Sequence, residues 1–252
     1  MVHGIEIFRE HFKEFSHQYV LIGGTACDIL LDDLGSSFRA TKDLDIVLII
    51  EFIDKTFSDH FWKFVEVGGY KHREVGIDKN QFYRFSNPSN SLFPRQIELF
   101  CRLPDNIELE FKQRCIPIVI TGSIVSLSAI LLDEEYYNLL VTRKVTINEL
   151  SLIDIETLIV FKIKAWLDNK YRKEIGESVD ANDVKKHKND VFRLLVNLTP
   201  DSKIFLSEEI KFDIHQFIEK VSEERPELKS LGIKSANLDE LLTLLKDVFI
   251  GT

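Results

Sequence analysis

Two aspartates one residue apart, Asp43 and Asp45, lie just before the apolar run 46–50. Together they could hold a metal ion. Side chains alternate along a strand, so residues two positions apart point to the same face. Carboxylate oxygens are the ligands that hard divalent cations prefer. The same spacing recurs at Glu108 and Glu110, but Asp43 and Asp45 open a strand predicted to be buried, where like charges are costly unless a cation or donors compensate them. The pattern therefore predicts a divalent-cation site.

A third carboxylate would complete such a site, and Glu98 is the candidate. This acid interrupts the apolar segment RQIELFC, residues 95–101, which is predicted to be a strand. The alternative for Glu98 is an ordinary acid on an exposed strand face. We therefore predict Glu98 as a third ligand and leave that alternative open.

Adjacent glycines, Gly23 and Gly24, follow a predicted strand and precede a helix expected to be capped by Thr25. Backbone N–H groups at the start of a helix attract anions, and glycines leave no side chain to block a close approach. This arrangement predicts a phosphate site. The second pair, Gly68 and Gly69, leads into a strand-like segment, and there we expect only a turn.

The N-terminal part combines strand and helix patterns and is predicted to be one α+β domain, residues 1–150. A first amphipathic helix is indicated by apolar residues at helical spacing: Ile5, Phe8, Phe12 and Phe15. A further helix is predicted at 25–31, and strands are predicted at 19–22, 42–50, 69–75, 80–86 and 95–101. The later segments favour a helix at 126–140 and a strand or turn at 144–150.

The C-terminal part, residues 151–252, is predicted to be a helical domain. Its apolar residues recur at three and four positions in four segments: 154–173, 180–198, 207–223 and 238–249. The fold class expected for the whole chain is thus α+β, with a mixed sheet flanked by helices and followed by a helical C-terminal domain.

The motif G-G-T near a helix start, followed by R-x-T-x-D-x-D and hydrophobic residues, resembles the polymerase-β-type nucleotidyltransferases, and within them it is most similar to the AbiEii-like toxins. Six residues carry the pattern: Gly23, Gly24, Arg39, Thr41, Asp43 and Asp45. The resemblance implies transfer of a nucleoside monophosphate from a nucleoside triphosphate, with release of pyrophosphate. It implies that Asp43, Asp45 and Glu98 hold two Mg²⁺ ions, or Mn²⁺ in their place. It also implies nucleotide binding by five residues: Gly23, Gly24, Thr25, Arg39 and Thr41.

A second resemblance lies in the helical part, where AbiEii-like proteins have K-φ-x-A, with φ hydrophobic, and later K-D-x-x-D. The stretch 162–165 matches the first motif, and 186–190 matches the second, except that His187 replaces its first acid. Helical projection puts Lys162 within an apolar arc and Lys164 on the opposite side. Lys162 is therefore predicted to face a phosphate, with Asp190 orienting it or the acceptor. The alternatives are a lysine that snorkels from a packed face and a plain helix-surface ion pair.

Net charge and missing motifs exclude several function classes. A formal charge of −9 argues against nonspecific coating of nucleic acid, although the basic runs 169–173 and 184–188 could form a local groove. The chain has no Walker-type phosphate loop, no G-x-S-x-G and no H-E-x-x-H. No segment is long and apolar enough to span a membrane, and no signal peptide begins the chain, so we expect a cytoplasmic protein.

The resemblance implies an RNA acceptor such as tRNA, and a toxin or phage-defence role beside a separately encoded antitoxin. One alternative is an enzyme of the same superfamily that modifies a small molecule such as an aminoglycoside. The other is a non-catalytic nucleotide-binding or partner-binding protein that keeps the fold. The sequence leaves open the donor base, the acceptor and the oligomeric state.

Overall fold

The computed structural model describes residues 2–39, 41–49, 51–71, 82–101, 130, 131 and 133–251. Most of the predicted strand 69–75 and the first part of the predicted helix 126–140 lie outside these residues. No helix among them is long and apolar enough to cross a membrane.

A six-stranded mixed sheet forms the centre of the N-terminal part. Its strands are β1 (Tyr19–Leu21), β2 (Asp43–Leu48), β3 (Phe82–Ser86), β4 (Gln96–Cys101), β5 (Lys144–Ile147) and β6 (Leu150–Ile153). They lie in the order β3-β4-β2-β1-β6-β5. The β2–β4 and β1–β6 pairs are parallel, and the other three pairs are antiparallel. The parallel β2–β4 pair matters most for the site, because it sets the predicted acids side by side.

Among the described residues before the C-terminal part, the helices are α1 (Ile5–Phe12), α2 (Gly23–Asp33), α3 (Lys55–Gly68) and α4 (Glu134–Thr142). Helix α3 was not predicted from the sequence. Asp54 caps this helix by accepting a hydrogen bond from the Phe57 N–H at 2.8 Å, and Gly69 ends it with φ +61°. The second glycine pair is therefore a helix C-terminus and not merely a turn before a strand.

The core of the sheet region is rich in aromatic rings from α1 and α3. Phe8 and Phe12 stack with ring centroids 4.5 Å apart. The Phe64 ring packs edge-on against both, at interplanar angles of 88° to Phe8 and 61° to Phe12. The apolar end of β2 is also buried, with Ile46 and Val47 at most 1% exposed. Cover on both faces of β2 was predicted from its unbroken apolar run, and the burial confirms it.

Strand β6 differs from the prediction, which placed the start of the helical pattern at Ser151. Residues Leu150–Ile153 instead form a buried strand whose Leu152 pairs with Leu21 of β1. A short apolar run does not distinguish a buried strand from a buried helix by periodicity, and the pairing that decides it joins residues far apart in the chain.

Four helices make up the C-terminal part: α5 (Ile155–Glu174), α6 (Ala181–Leu195), α7 (Glu208–Glu224) and α8 (Leu238–Phe249). All four were predicted, with ends that agree within about three residues. Side chains cap three of them at Asp180, Ser207 and Asn237. The predicted fold class, α+β with a mixed sheet and a helical C-terminal part, is confirmed.

The chain divides into two compact units. The first contains the described parts of Met1–Ile120 and Leu140–Asp154, and the second contains those of Thr121–Leu139 and Ile155–Thr252. The first unit holds the sheet, and the second holds the C-terminal helices. The functional division at residue 150 stays a prediction.

Candidate functional site

The turn between β1 and α2 fits tightly against Asp45. Gly23 has φ +65°, and a methyl group on it would lie 1.8 Å from Asp45 Oδ2. The N–H of Ile22 also donates to the Asp45 carbonyl oxygen at 3.0 Å. A glycine is required here for two reasons: its positive φ and the space that the carboxylate occupies.

Gly24 lies against the segment before β2 that carries the R-x-T motif. A methyl group on Gly24 would approach Thr41 Oγ1 to 2.6 Å and Arg39 Nη2 to 3.7 Å. The Arg39 guanidinium lies 5.0 Å from the centre of the Phe38 ring. Both glycines, Arg39 and Thr41 therefore come together with Asp45, although the motif spans 23 positions of the sequence.

Thr25 does not cap α2 as predicted, because the helix begins two residues earlier and Ile22 is its N-cap. The Thr25 side chain is fully buried, and its hydroxyl donates to the Asp43 carbonyl oxygen at 2.7 Å. Thr25 thus ties the first turn of α2 to the start of β2. Its assignment as a nucleotide-binding residue stays a prediction.

The three predicted acids lie on one face of neighbouring strands. In the parallel β2–β4 pair, Asp43 is opposite Gln96 and Asp45 is opposite Glu98. Residues opposite each other in a sheet point to the same face, and so do residues two apart on one strand. Asp43 and Asp45 are half-buried, whereas Glu98 is 8% exposed. The exposed-face alternative for Glu98 is therefore wrong.

Glu98 is held by two residues that the sequence analysis did not identify, Arg84 and Gln96. Its Oε1 accepts hydrogen bonds from Arg84 Nε at 2.9 Å, Arg84 Nη2 at 2.6 Å and Gln96 Nε2 at 2.8 Å. Arg84 is directly opposite Glu98 in the antiparallel β3–β4 pair. A signal was present in the sequence: an arginine alternates with aromatic residues in β3, as Glu98 alternates with apolar residues in β4.

The donor set fits a hard divalent cation in part. Asp43 and Asp45 offer carboxylate oxygens from one strand face, which is the chemistry that Mg²⁺ prefers. Glu98 already shares one oxygen with a guanidinium group. Within the described residues, no group of three or more His, Cys, Asp or Glu side chains has a geometry that could hold a metal ion. Two carboxylates thus fit, and the role of Glu98 as third ligand stays a prediction.

In the helical unit, Lys162 and Asp190 form a buried pair between α5 and α6. Lys162 Nζ lies 3.2 Å from Asp190 Oδ2, with the lysine 5% exposed and the aspartate fully buried. Arg193 Nη1 lies 3.3 Å from the other oxygen, Oδ1. This burial rules out the helix-surface ion pair that the sequence left open. The roles of both residues in transfer stay predictions.

Lys164 points to another helix, as its predicted position opposite Lys162 requires. Its Nζ lies 2.6 Å from Asp213 Oδ2 on α7 and 5.0 Å from the centre of the Tyr136 ring. The Tyr136 hydroxyl donates to the same carboxylate oxygen at 2.7 Å. Burial and the Asp213 charge raise the pKa of Tyr136 above its usual value, so the phenol remains a donor. Lys164 therefore supports helix packing.

Comparisons with known proteins find solved structures of similar form. No protein-family model and no characterised protein match the sequence. The chain is similar to an antigenic nucleotidyltransferase-like protein from Paracoccidioides brasiliensis, at 13% identity and a TM-score of 0.47, over 95% of this chain and 94% of that one. A likeness at this level leaves the function to be argued from the side chains.

Proposed function

We propose that the protein is a metal-dependent nucleotidyltransferase, which moves a nucleoside monophosphate from a nucleoside triphosphate to an acceptor hydroxyl. One observation carries the proposal: the Gly23–Gly24 turn packs directly against the Asp45 carboxylate, 1.8 Å from a methyl position on Gly23. A phosphate-binding turn and a metal-binding acid are useful to phosphoryl transfer only when they are adjacent.

The start of α2 supplies the phosphate contacts in this proposal. The helix has 11 residues, so its dipole favours an anion at its N-terminus. The backbone N–H groups of its first turn, at Gly23 and Gly24, are the proposed donors to phosphate oxygens. Arg39, which lies beside Gly24, adds a planar cation that matches phosphate geometry.

Asp43 and Asp45 are the residues that would hold Mg²⁺. The metal, when bound, neutralises triphosphate charge and favours the ionised acceptor oxygen. In the proposed transfer the acceptor hydroxyl gives its proton to water and its oxygen forms a bond to the α-phosphorus. The bond from that phosphorus to the bridging oxygen breaks, and pyrophosphate leaves. Arg84 and Gln96 keep the Glu98 carboxylate beside Asp45 by fixing its Oε1.

Lys162 is proposed to stabilise the negative charge that builds on the departing pyrophosphate, with Asp190 as its positioning residue. Support comes from the resemblance of the stretches 162–165 and 186–190 to motifs of AbiEii-like proteins, and from the 3.2 Å contact between Lys162 Nζ and Asp190 Oδ2.

The acceptor is proposed to be RNA such as tRNA, in a toxin or phage-defence role with a separately encoded antitoxin. This finer proposal is supported by the similarity of the sequence motifs to those of AbiEii-like proteins. It is separable from the chemistry, because the motif residues around Gly23 and Asp45 handle the donor and not the acceptor.

The test incubates the protein and Mg²⁺ with each of four α-³²P-labelled triphosphates, in separate reactions with total RNA and with the small-molecule fraction of a lysate. Label in RNA is the expected result. Label confined to small molecules would replace the acceptor and keep the chemistry. Triphosphate binding without transfer to any fraction would contradict the proposal and favour a non-catalytic binding protein.

A further inference from the structure

The two basic runs of the sequence meet at one cleft of the helical unit. The cleft has a volume of about 450 Å³ and lies among α5, α6 and the segment that follows α7. We name it the α5–α6 cleft. Its charged and aromatic lining consists of Trp166, Lys173, Lys185, Lys188, Glu224 and Glu227.

Glu224 cancels only one of the two lysine charges beside it, because both Lys170 and the lining residue Lys188 bond to it. Lys170 Nζ donates to its Oε1 at 2.5 Å, and Lys188 Nζ donates to its Oε2. Burial alone would raise the pKa of Glu224, but the two lysine hydrogen bonds outweigh it and lower the pKa below its usual value. The carboxylate is therefore ionised and is bracketed by two cations.

Trp166 gives this inner part of the cleft a fixed floor. Its side chain is 1% exposed and meets the Phe217 ring edge-on, with centroids 5.1 Å apart. Lys170 and Lys188 lie over the indole, 5.0 and 5.9 Å from its centre. A buried tryptophan braced in this way does not stack on a ligand base, so recognition falls to the charges.

Lys173 and Lys185 supply those charges. Both side chains are exposed, one on α5 and one on α6, and neither makes an ion pair or side-chain hydrogen bond within the described part of the chain. Lysines outnumber acids three to two in the lining, and Lys170, which bonds to Glu224, adds a further cation beside it. In a chain of net charge −9, such a local excess attracts phosphate.

We propose that the α5–α6 cleft binds the phosphate backbone of a polynucleotide, which rests on the proposed function because that polynucleotide is the acceptor. Lysines recognise phosphate as point charges, without reading bases. The N-terminus of α6 is not proposed as the phosphate site, because Asp180 caps it and its side chain already accepts the Asn182 N–H at 2.8 Å. That carboxylate puts a negative charge where an isolated phosphate would bind the helix N-terminus.

The experiment measures fluorescence anisotropy of a labelled, unstructured 20-nucleotide RNA and of labelled total tRNA, without triphosphate, between 50 and 200 mM salt. Lys173→Glu/Lys185→Glu should weaken binding of both RNAs about tenfold or more and reduce the slope of log affinity against log salt by about 1.4, the value for two lost contacts on single strands. The matched control is Lys203→Glu/Lys246→Glu, which reverses two exposed lysines of the same unit outside the cleft. Circular dichroism and thermal unfolding establish that each variant is folded, and Lys173→Ala/Lys185→Ala gives a milder version.

Three results would overturn the inference: no RNA binding by the wild-type protein, equal losses in the cleft and control variants, or an ATP affinity that depends on the cleft lysines while RNA affinity does not. Failure of the proposed function looks different. If RNA binds through Lys173 and Lys185 and no nucleotide is transferred, the cleft assignment stands and the chemistry is wrong.

Discussion

Gly23→Ala tests whether the glycine turn and Asp45 form one site. Two costs are expected from the structure. A non-glycine residue at φ +65° costs about 1–2 kcal/mol. In addition, Asp45 Oδ2 must retreat from 1.8 Å to the 3.4 Å at which ordinary contact begins, a shift of about 1.6 Å. A displacement of about 1 Å in a phosphoryl-transfer site can reduce the rate about 100-fold.

The chain supplies a matched control for the backbone term alone. Gly35 has φ +70°, and a methyl group on it would meet nothing within 4 Å. Gly35→Ala should therefore lose the same 1–2 kcal/mol of stability and keep wild-type transfer. Urea denaturation gives the free energy of unfolding for both variants, and label transfer from an α-³²P triphosphate gives the rate.

Equal effects of the two substitutions on both measurements would refute this reasoning, since the second cost belongs to Gly23 alone. A loss of transfer in Gly35→Ala would equally contradict it.

The remaining predictions concern three other parts of the molecule. Lys162→Ala should reduce transfer by orders of magnitude. It should also lower the free energy of unfolding, measured in urea, by up to about 3–5 kcal/mol, because Asp190 stays buried without its nearer cation. Arg84→Met should weaken Mg²⁺ binding about 10- to 100-fold in calorimetry, since Glu98 loses the group that orients it. Burial lowers the pKa of His11, so the folded state favours the neutral ring. The His11 contribution to stability should therefore be full above pH 6.5 and decline as the pH falls below it. His11→Phe should flatten that decline, as measured by urea denaturation at pH 5 and pH 8.

Each of these predictions has a control or a result that would contradict it. Lys164→Ala should reduce transfer far less than Lys162→Ala, and the reverse ranking would reassign the phosphate contact. Arg95→Met changes an exposed arginine just before β4, the strand that carries Glu98. Equal losses of metal affinity in Arg84→Met and Arg95→Met would contradict the positioning role of Arg84. An unaltered acid-side decline in His11→Phe would mean that groups other than His11 cause it.

Local patterns predicted the parts of the site that lie close together in sequence. The same-face relation of Asp43 and Asp45 follows from strand alternation, and the opposite directions of Lys162 and Lys164 follow from the helical repeat. Both relations depend on a few consecutive residues, so a single sequence is sufficient for them.

Relations between distant segments could not be predicted in this way. Arg84 meets Glu98 because β3 and β4 pair in one particular register, and a shift of one residue would put the two side chains on opposite faces. The pairing of β6 with β1 is of the same kind. Helix α3 is a different case, because local signals for it were present in the sequence: a cap at Asp54 and apolar residues at helical spacing.

The most direct test of the central claim compares nucleotide transfer by the wild-type protein, Asp43→Asn and Asp45→Asn. Asp59→Asn is the matched control, because it removes the charge of an exposed aspartate on α3. With labelled triphosphate, Mg²⁺ and total RNA, we predict that the first two variants transfer no label above background while their thermal unfolding is close to that of wild type, and that the control transfers normally. Transfer at the wild-type rate by both Asp43→Asn and Asp45→Asn would contradict the account.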